Sequence, residues 1–199
     1  GKAIAEFHNL KCDLGFGYLQ NGLKRTWREA YFSMVDNIIK DAEKVNCKIP
    51  YFDEIQGILN QYSYVLKGVK TPSILHFDLW QGNIFIKDGK LSALIDFERT
   101  MLGDPLGDFI HLDYMPPFDV HKNRYLIDGY NSVADNKLSF NNNEMIRLYL
   151  MRVYLGLIAY VECYYRYKKY SLMFLGRRLY AKKFMRITLN ELNKLTEQE

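Results

Sequence analysis

The sequence predicts an α+β fold that is mainly α-helical, built around one small β-hairpin. Three observations predict it: apolar periodicity of 3.6 residues in both halves of the chain, an Asp88-Gly89 turn between two strand-like runs, and an irregular, proline-bearing centre. The 16 Tyr, 12 Phe and 2 Trp supply enough aromatic mass for one substantial core. No repeat, low-complexity tract or flexible linker divides the chain, so residues 1–199 read as a single domain.

The elements follow in order. Between Lys24 and Val45, the residues Trp27, Ala30, Tyr31, Met34, Val35, Ile38, Ile39 and Ala42 fall on one side of a helix. Pro50 restarts the chain, and Phe52, Ile55, Ile58, Leu59, Tyr62 and Leu66 form a second helical stripe that ends near Gly68. The runs IFIK and KLSALI flank Asp88-Gly89 as strand, turn and strand. After Gly103, GDPLGD and the MPPF stretch at Met115 to Phe118 bring loop chemistry, because Pro105, Pro116 and Pro117 neither donate to a ladder nor fit a helix interior. Asn141, with Glu144 three residues on, caps a long helix reaching Tyr167, and a last helix with a basic face spans Leu172 to Leu195.

Composition excludes several function classes. Lys+Arg 27 against Asp+Glu 23 gives a net charge of +4, but the basic residues are scattered rather than drawn into a phosphate-tracking stripe, so no nucleic-acid partner is expected. The apolar stretch from Met145 to Val161 carries Arg147 and Arg152, which are costly at bilayer depth, so no membrane span is expected. Cys12, Cys47 and Cys163 lack any paired spacing and read as free thiols. The first residues, GKAIAEFHNL, lack the pattern of a secretory signal, so a cytoplasmic location is expected.

The chemistry concentrates in LHFDLWQGNIFI. There His76, Asp78 and Asn83 form H-x-D-x-x-x-x-N directly before a strand, a spacing expected by chance in only about 0.02 chains of this composition. Across the hairpin, the second strand leads into Ile95-Asp96-Phe97-Glu98. A hairpin returns its two ends to about one strand spacing, roughly 5 Å, so Asn83 at its entry and Asp96 at its exit are expected to face one ion. Phosphoryl transfer from a nucleotide needs hard oxygen ligands for Mg²⁺ and a carboxylate that orients the attacking hydroxyl and accepts its proton. The residue types match: Asp78 as catalytic base, the Asn83 amide oxygen and the Asp96 carboxylate as metal ligands.

These motifs resemble the C-terminal lobe of the aminoglycoside phosphotransferase family, kinase-like enzymes related to choline, fructosamine and methylthioribose kinases. IAEFH resembles the family's helix ending in Leu-His, with Phe7 in place of the Leu; LHFDLWQGNIFI resembles its catalytic loop, and LIDFERTMLGDPLGDF its metal loop. The resemblance implies a protein-kinase-like C-terminal lobe whose small hairpin carries the catalytic and metal loops. It also implies Mg²⁺ and ATP (or GTP) as cofactors, transfer of the γ-phosphate to a hydroxyl of a small molecule such as an aminoglycoside or metabolite, and Asp108 as a buried acceptor bracing the catalytic loop. Phe77 and Trp80 depart from the pattern, since many relatives have Gly at the first position and a smaller or polar residue at the second. The family's N-terminal nucleotide-binding lobe is not visible in the sequence, so the chain is expected to be a fragment or truncated form, folded but inactive alone. A catalytically inactive kinase-like binding module is the alternative.

Other residues carry structural expectations. His76 reads as a loop brace, and His8, His111 and His121 as structural or surface residues without metal-ligand spacing. Glu98 is expected either beside Asp96 near the metal or paired with an Arg such as Arg99, and Asp104 as a turn former. Arg152 and Glu162 lie in the apolar run of the long helix, where charges are usually paired or functional.

Overall fold

Thr26 sets the start of the first long helix. Its hydroxyl accepts from the Glu29 N–H at 3.2 Å while the Glu29 carboxylate accepts from the Thr26 N–H at 3.2 Å, a reciprocal cap. In this computed structural model, which describes residues 1–10, 12–113 and 117–196, the helix therefore begins at Trp27 rather than Lys24. The order is α1 (Lys2–His8), α2 (Trp27–Lys44), α3 (Phe52–Tyr62), β1 (Ser73–Leu75), β2 (Ile84–Lys87), β3 (Lys90–Leu94), β4 (Met101–Gly103), α4 (Arg124–Asn131), α5 (Asn142–Arg166) and α6 (Leu172–Thr196). The fold is α+β and mainly helical, as the periodicity predicts.

The second apolar stripe is only partly α-helical. α3 stops at Tyr62 and the chain tightens into a 3-10 turn over Ser63–Gly68, whose Val65 and Leu66 remain buried. In α5 the Asn141 side chain accepts from the Glu144 N–H at 3.0 Å, but the Glu144 carboxylate reaches back to the Ser139 and Phe140 N–H groups, which fixes the approach to the helix one step earlier than a simple box. Two elements escaped the periodicity, α4 and the antiparallel pair of β1 with β4, in which Ser73 faces Gly103 and Leu75 faces Met101. Met115 and Pro116 of the expected central loop lie outside the described residues.

The core runs from α2 through the β1–β4 pair to α5, and α6 packs along α5. Trp27, Tyr31, Leu75, Phe77, Phe109 and Leu150 are fully buried in it. Gly103 is required by this packing, because a Cβ there would meet the Trp27 ring at 2.7 Å. Tyr31 donates its hydroxyl hydrogen bond to the Leu150 carbonyl at 2.6 Å, pinning α2 to α5. Burial of the Leu150 stripe explains why the apolar run of α5 needs no lipid, and among the described residues no helix is long and apolar enough to cross a membrane.

Candidate active site

The β1–β4 ladder holds residues 76–100 as one excursion from the helical body, and the hairpin β2–β3 forms its tip. Ile84 pairs with Leu94, and the Ile95 N–H donates to the Asn83 carbonyl at 3.1 Å, so the entry and exit of the hairpin lie side by side. Asp78, Asn83 and Asp96 line one cleft of about 470 Å³, together with Trp80, Glu98, Arg99 and His111.

Asn83 is buried and its orientation is fixed by donation. Its Nδ2 gives hydrogen bonds to the Asp78 carbonyl at 2.9 Å and to Asp78 Oδ2 at 3.1 Å. The amide oxygen is thereby turned away from Asp78 and has no hydrogen-bond donor among the described residues. Asp96 stands at the end of the hairpin with left-handed backbone (φ 65°, ψ 61°) and opens a 3-10 turn over Phe97–Arg99. That turn ends the strand alternation, yet Glu98 still lines the same cleft as Asp96, as one of its two expected placements has it. Arg99 does not pair with Glu98 but reaches Glu162 at 3.4 Å, and Glu162 also takes Arg166 at 2.9 Å.

Beneath the cleft, Asp108 organises the backbone of His76 and Phe77. Its carboxylate accepts from the Phe77 N–H at 2.6 Å, the His76 N–H at 3.1 Å and His8 Nε2–H at 2.9 Å. Tyr130 donates to His8 Nδ1 at 3.0 Å, which extends the chain of bonds to α4. His76 Nε2–H donates to the Ile95 carbonyl at 2.8 Å, while its Nδ1 accepts from the Asp78 N–H at 3.3 Å. The two loops are therefore tied through one imidazole, the bracing position expected of His76.

Phe77 has φ = 60°, a conformation in which a side chain costs about 1 kcal/mol or more and glycine almost none. The departure from glycine noted in the sequence is thus a strained one. Complete burial of its ring against Tyr154, at 6.0 Å between centroids, and its N–H bond to Asp108 offset that strain. Asp104 combines two functions: Oδ1 accepts from the Leu106 N–H as a turn former, and Oδ2 takes Arg147 Nε–H at 2.7 Å in a buried ion pair. Burial pushes the Asp104 carboxyl up, with Arg147 opposing.

Sequence reasoning missed His111. Its Nε2 lies 3.7 Å from Asp78 Oδ1, is buried, and has no hydrogen-bond partner among the described residues. Burial holds the imidazole below its usual value, while the Asp78 carboxylate and a hydrogen bond to the Phe77 backbone pull the other way. No periodic signal marks a residue so far in sequence from Asp78, although its place shortly after Asp108 puts it on the segment that braces the loop. Arg152, by contrast, is fully buried: Nη2–H donates to the Asp113 carbonyl at 3.0 Å and the guanidinium lies over the Phe118 and Tyr149 rings, while Nε and Nη1 have no hydrogen-bond partner among the described residues.

Comparison with known proteins agrees with this geometry. The model of the phosphotransferase enzyme family (APH) matches residues 1–136, and the chain belongs to that family. A thermostable mutant of aminoglycoside phosphotransferase APH(4)-Ia in its apo form superposes with a TM-score of 0.59 at 16% identity, over 94% of this chain and 62% of that one. ADP-bound aminoglycoside phosphotransferase APH(2'')-Ib gives 0.54 at 18% identity, over 94% and 61%. Spectinomycin phosphotransferase APH(9)-Ia, in complex with ADP and spectinomycin, gives 0.55 at 14% identity, over 100% and 64%. These likenesses establish the kinase-like fold, and the chain spans about three fifths of the length of each solved structure. Among curated proteins, none matches the sequence.

Proposed function

We propose that this chain is the C-terminal, acceptor-binding lobe of a phosphotransferase that moves the γ-phosphoryl group of ATP or GTP to a hydroxyl of a small molecule, with Asp78 as base. The observation that carries the reading is the hydrogen-bonded pair of Asp78 and Asn83 in a cleft shared with Asp96. A second lobe covering the nucleotide completes the enzyme in this reading, in keeping with the greater length of the solved relatives.

The donor set fits a hard divalent cation. Asn83 presents an amide oxygen left over from its bonds to Asp78, and Asp96 an exposed carboxylate. Among the described residues no cluster of three or more His, Cys, Asp or Glu has metal-binding geometry, so the cation would take its remaining ligands from nucleotide phosphates and water, as Mg²⁺ commonly does. When bound, Mg²⁺ supplies neutralisation of charge on the transferring phosphoryl group.

The chain's own residues do the rest. Asp78 holds the acceptor hydroxyl in line and takes its proton as the new O–P bond forms and the bond to the nucleoside diphosphate breaks. Because the transition state is loose, this carboxylate acts mainly by position. Asn83 fixes that position by donating to both the carbonyl and the carboxylate of Asp78. His76 and Asp108 hold the backbone beneath it.

The test uses the complete two-lobed protein. Asp78→Asn keeps the side-chain volume and an acceptor for Asn83, and is expected to lower kcat by about 10²-fold or more with an unchanged unfolding midpoint. Transfer at the wild-type rate by this variant refutes the assignment.

A further inference from the structure

The cleft around Asp78 carries three guanidinium groups. Arg99, Arg166 and Arg177 all line it. Arg99 and Arg166 share a single carboxylate, that of Glu162, at 3.4 and 2.9 Å, and Arg177, an exposed residue of α6, has no ion pair among the described residues. Among the described residues, these three guanidiniums have one carboxylate in ion pairs with them. Of the acidic residues that line the cleft, Asp78 and Asp96 are committed in the proposed reaction to a proton and a cation, which leaves the exposed Glu98. With Asp78 and Asp96 so engaged, the remaining charge of the cleft, three guanidiniums against the Glu162 and Glu98 carboxylates, is positive.

The neighbouring cavity is apolar. A pocket of about 140 Å³ between α5 and α6 shares His111 with the cleft and is walled by Leu155, Ala159, Ala181 and Phe184. His111 enters this wall without a charge to offer, because burial favours its neutral form. This pocket offers a polyamine no carboxylate, and a polyamine entering it passes the guanidiniums of the cleft. An acceptor with a carboxylate or phosphate meets planar forks suited to bidentate bonding.

We infer that the acceptor is a hydroxyl compound bearing an anionic group, carboxylate or phosphate, seated against Arg177 and Arg166, rather than a polycationic aminoglycoside. The inference names the substrate class of the site described above and rests on that reading for the hydroxyl. Arg177 is a specificity-determining residue in it, and Arg166, paired with Glu162, lines the same cleft.

Calorimetric titration of the chain with saturating Mg²⁺ and without nucleotide tests the charge preference. The probes are glycerate (carboxylate), glycerol 3-phosphate (phosphate), glycerol (neutral) and kanamycin (polycation). At least one anionic probe is expected to bind about tenfold or more tightly than glycerol, and Arg177→Glu to remove about tenfold of that affinity while Arg177→Lys removes less. Whichever anion is preferred identifies the group. Tighter binding of kanamycin than of both anions, equal binding of glycerol and the anions, or unchanged anion binding in Arg177→Glu overturns the inference. In the complete enzyme, Arg177→Glu is expected to raise KM for the anionic acceptor with little change in kcat, a split that general damage to the fold does not produce. These titrations contain no transfer step, so they fail or succeed independently of the Asp78→Asn rate test: kanamycin preference with a dead Asp78→Asn enzyme sinks only the acceptor class, and anion preference with an active one sinks only the base.

Discussion

The underside of the loop at residues 76–83 and its cleft-facing side are built on opposite terms. Below, Asp108, His8 and His76 are buried, and their imidazole and carboxylate groups are bonded to backbone groups, to Tyr130 or to one another. Above, Asp96 and Arg177 are exposed, His111 Nε2 has no partner among the described residues, and the Asn83 amide oxygen is free of donors there. A chain that leaves polar groups unpaired on one side of a loop while pairing them on the other has fixed the loop in advance and left bonding capacity on the open side. The lesson is that rigidity below and unspent bonding capacity above are two halves of one arrangement.

Substitutions in the brace break that comparison most severely. Asp108→Ala strands the Phe77 and His76 N–H groups and His8 Nε2–H in the interior. Each orphaned donor costs about 1–3 kcal/mol, so a loss of roughly 3 kcal/mol or more in urea unfolding is expected, with loss of any transfer activity. A change below about 1 kcal/mol would mean that the loop is held elsewhere. His76→Phe keeps the ring volume beside Phe97, at 4.4 Å between centroids, but leaves the Ile95 carbonyl and Asp78 N–H unpaired. About 1–2 kcal/mol of stability should go, together with activity, because both loops loosen.

The smallest effect sharpens the comparison from the cleft side. Burial holds His111 below its ordinary value, so the folded protein takes up its proton at lower pH than the unfolded chain. Nothing is lost above the unfolded value of about 6.5; as pH falls below it, the unfolded state binds the proton first and stability declines until the folded state also protonates. His111→Gln is expected to flatten that acid-side slope, read as the difference in urea midpoints between pH 7 and pH 5 for the two proteins. An unaltered slope would place the titration on another group.

The sequence made the long helices legible because their caps and stripes are local: Asn141 with Glu144, and the Trp27 to Ala42 face, need no tertiary information. The β1–β4 ladder escaped because its strands are three residues each and their pairing spans the whole hairpin. α4 escaped for a similar reason, since its buried residues, Ile127 and Tyr130, are too few to set a period. In the site, Asp78, Asn83 and Asp96 stood out through spacing about a hairpin, and Asp108 through resemblance alone. His111 and Arg177 did not stand out, since a lone imidazole and a surface guanidinium carry meaning only when folding sets them across a cavity. Phe77 was visible as a departure, but its positive φ belongs to the backbone and appears only in three dimensions.

The antiparallel β1–β4 ladder has a topological consequence. Residues 76–100 leave and rejoin the body through adjacent strands, so this segment is a cassette with its two feet side by side. Closing such a loop costs entropy that grows only with the logarithm of its length, about 0.6 kcal/mol for a doubling. Insertions at the Asp88-Gly89 tip are therefore nearly free for the helical body, and that tip is the point at which this molecule can gain a new extension without disturbing what lies beneath.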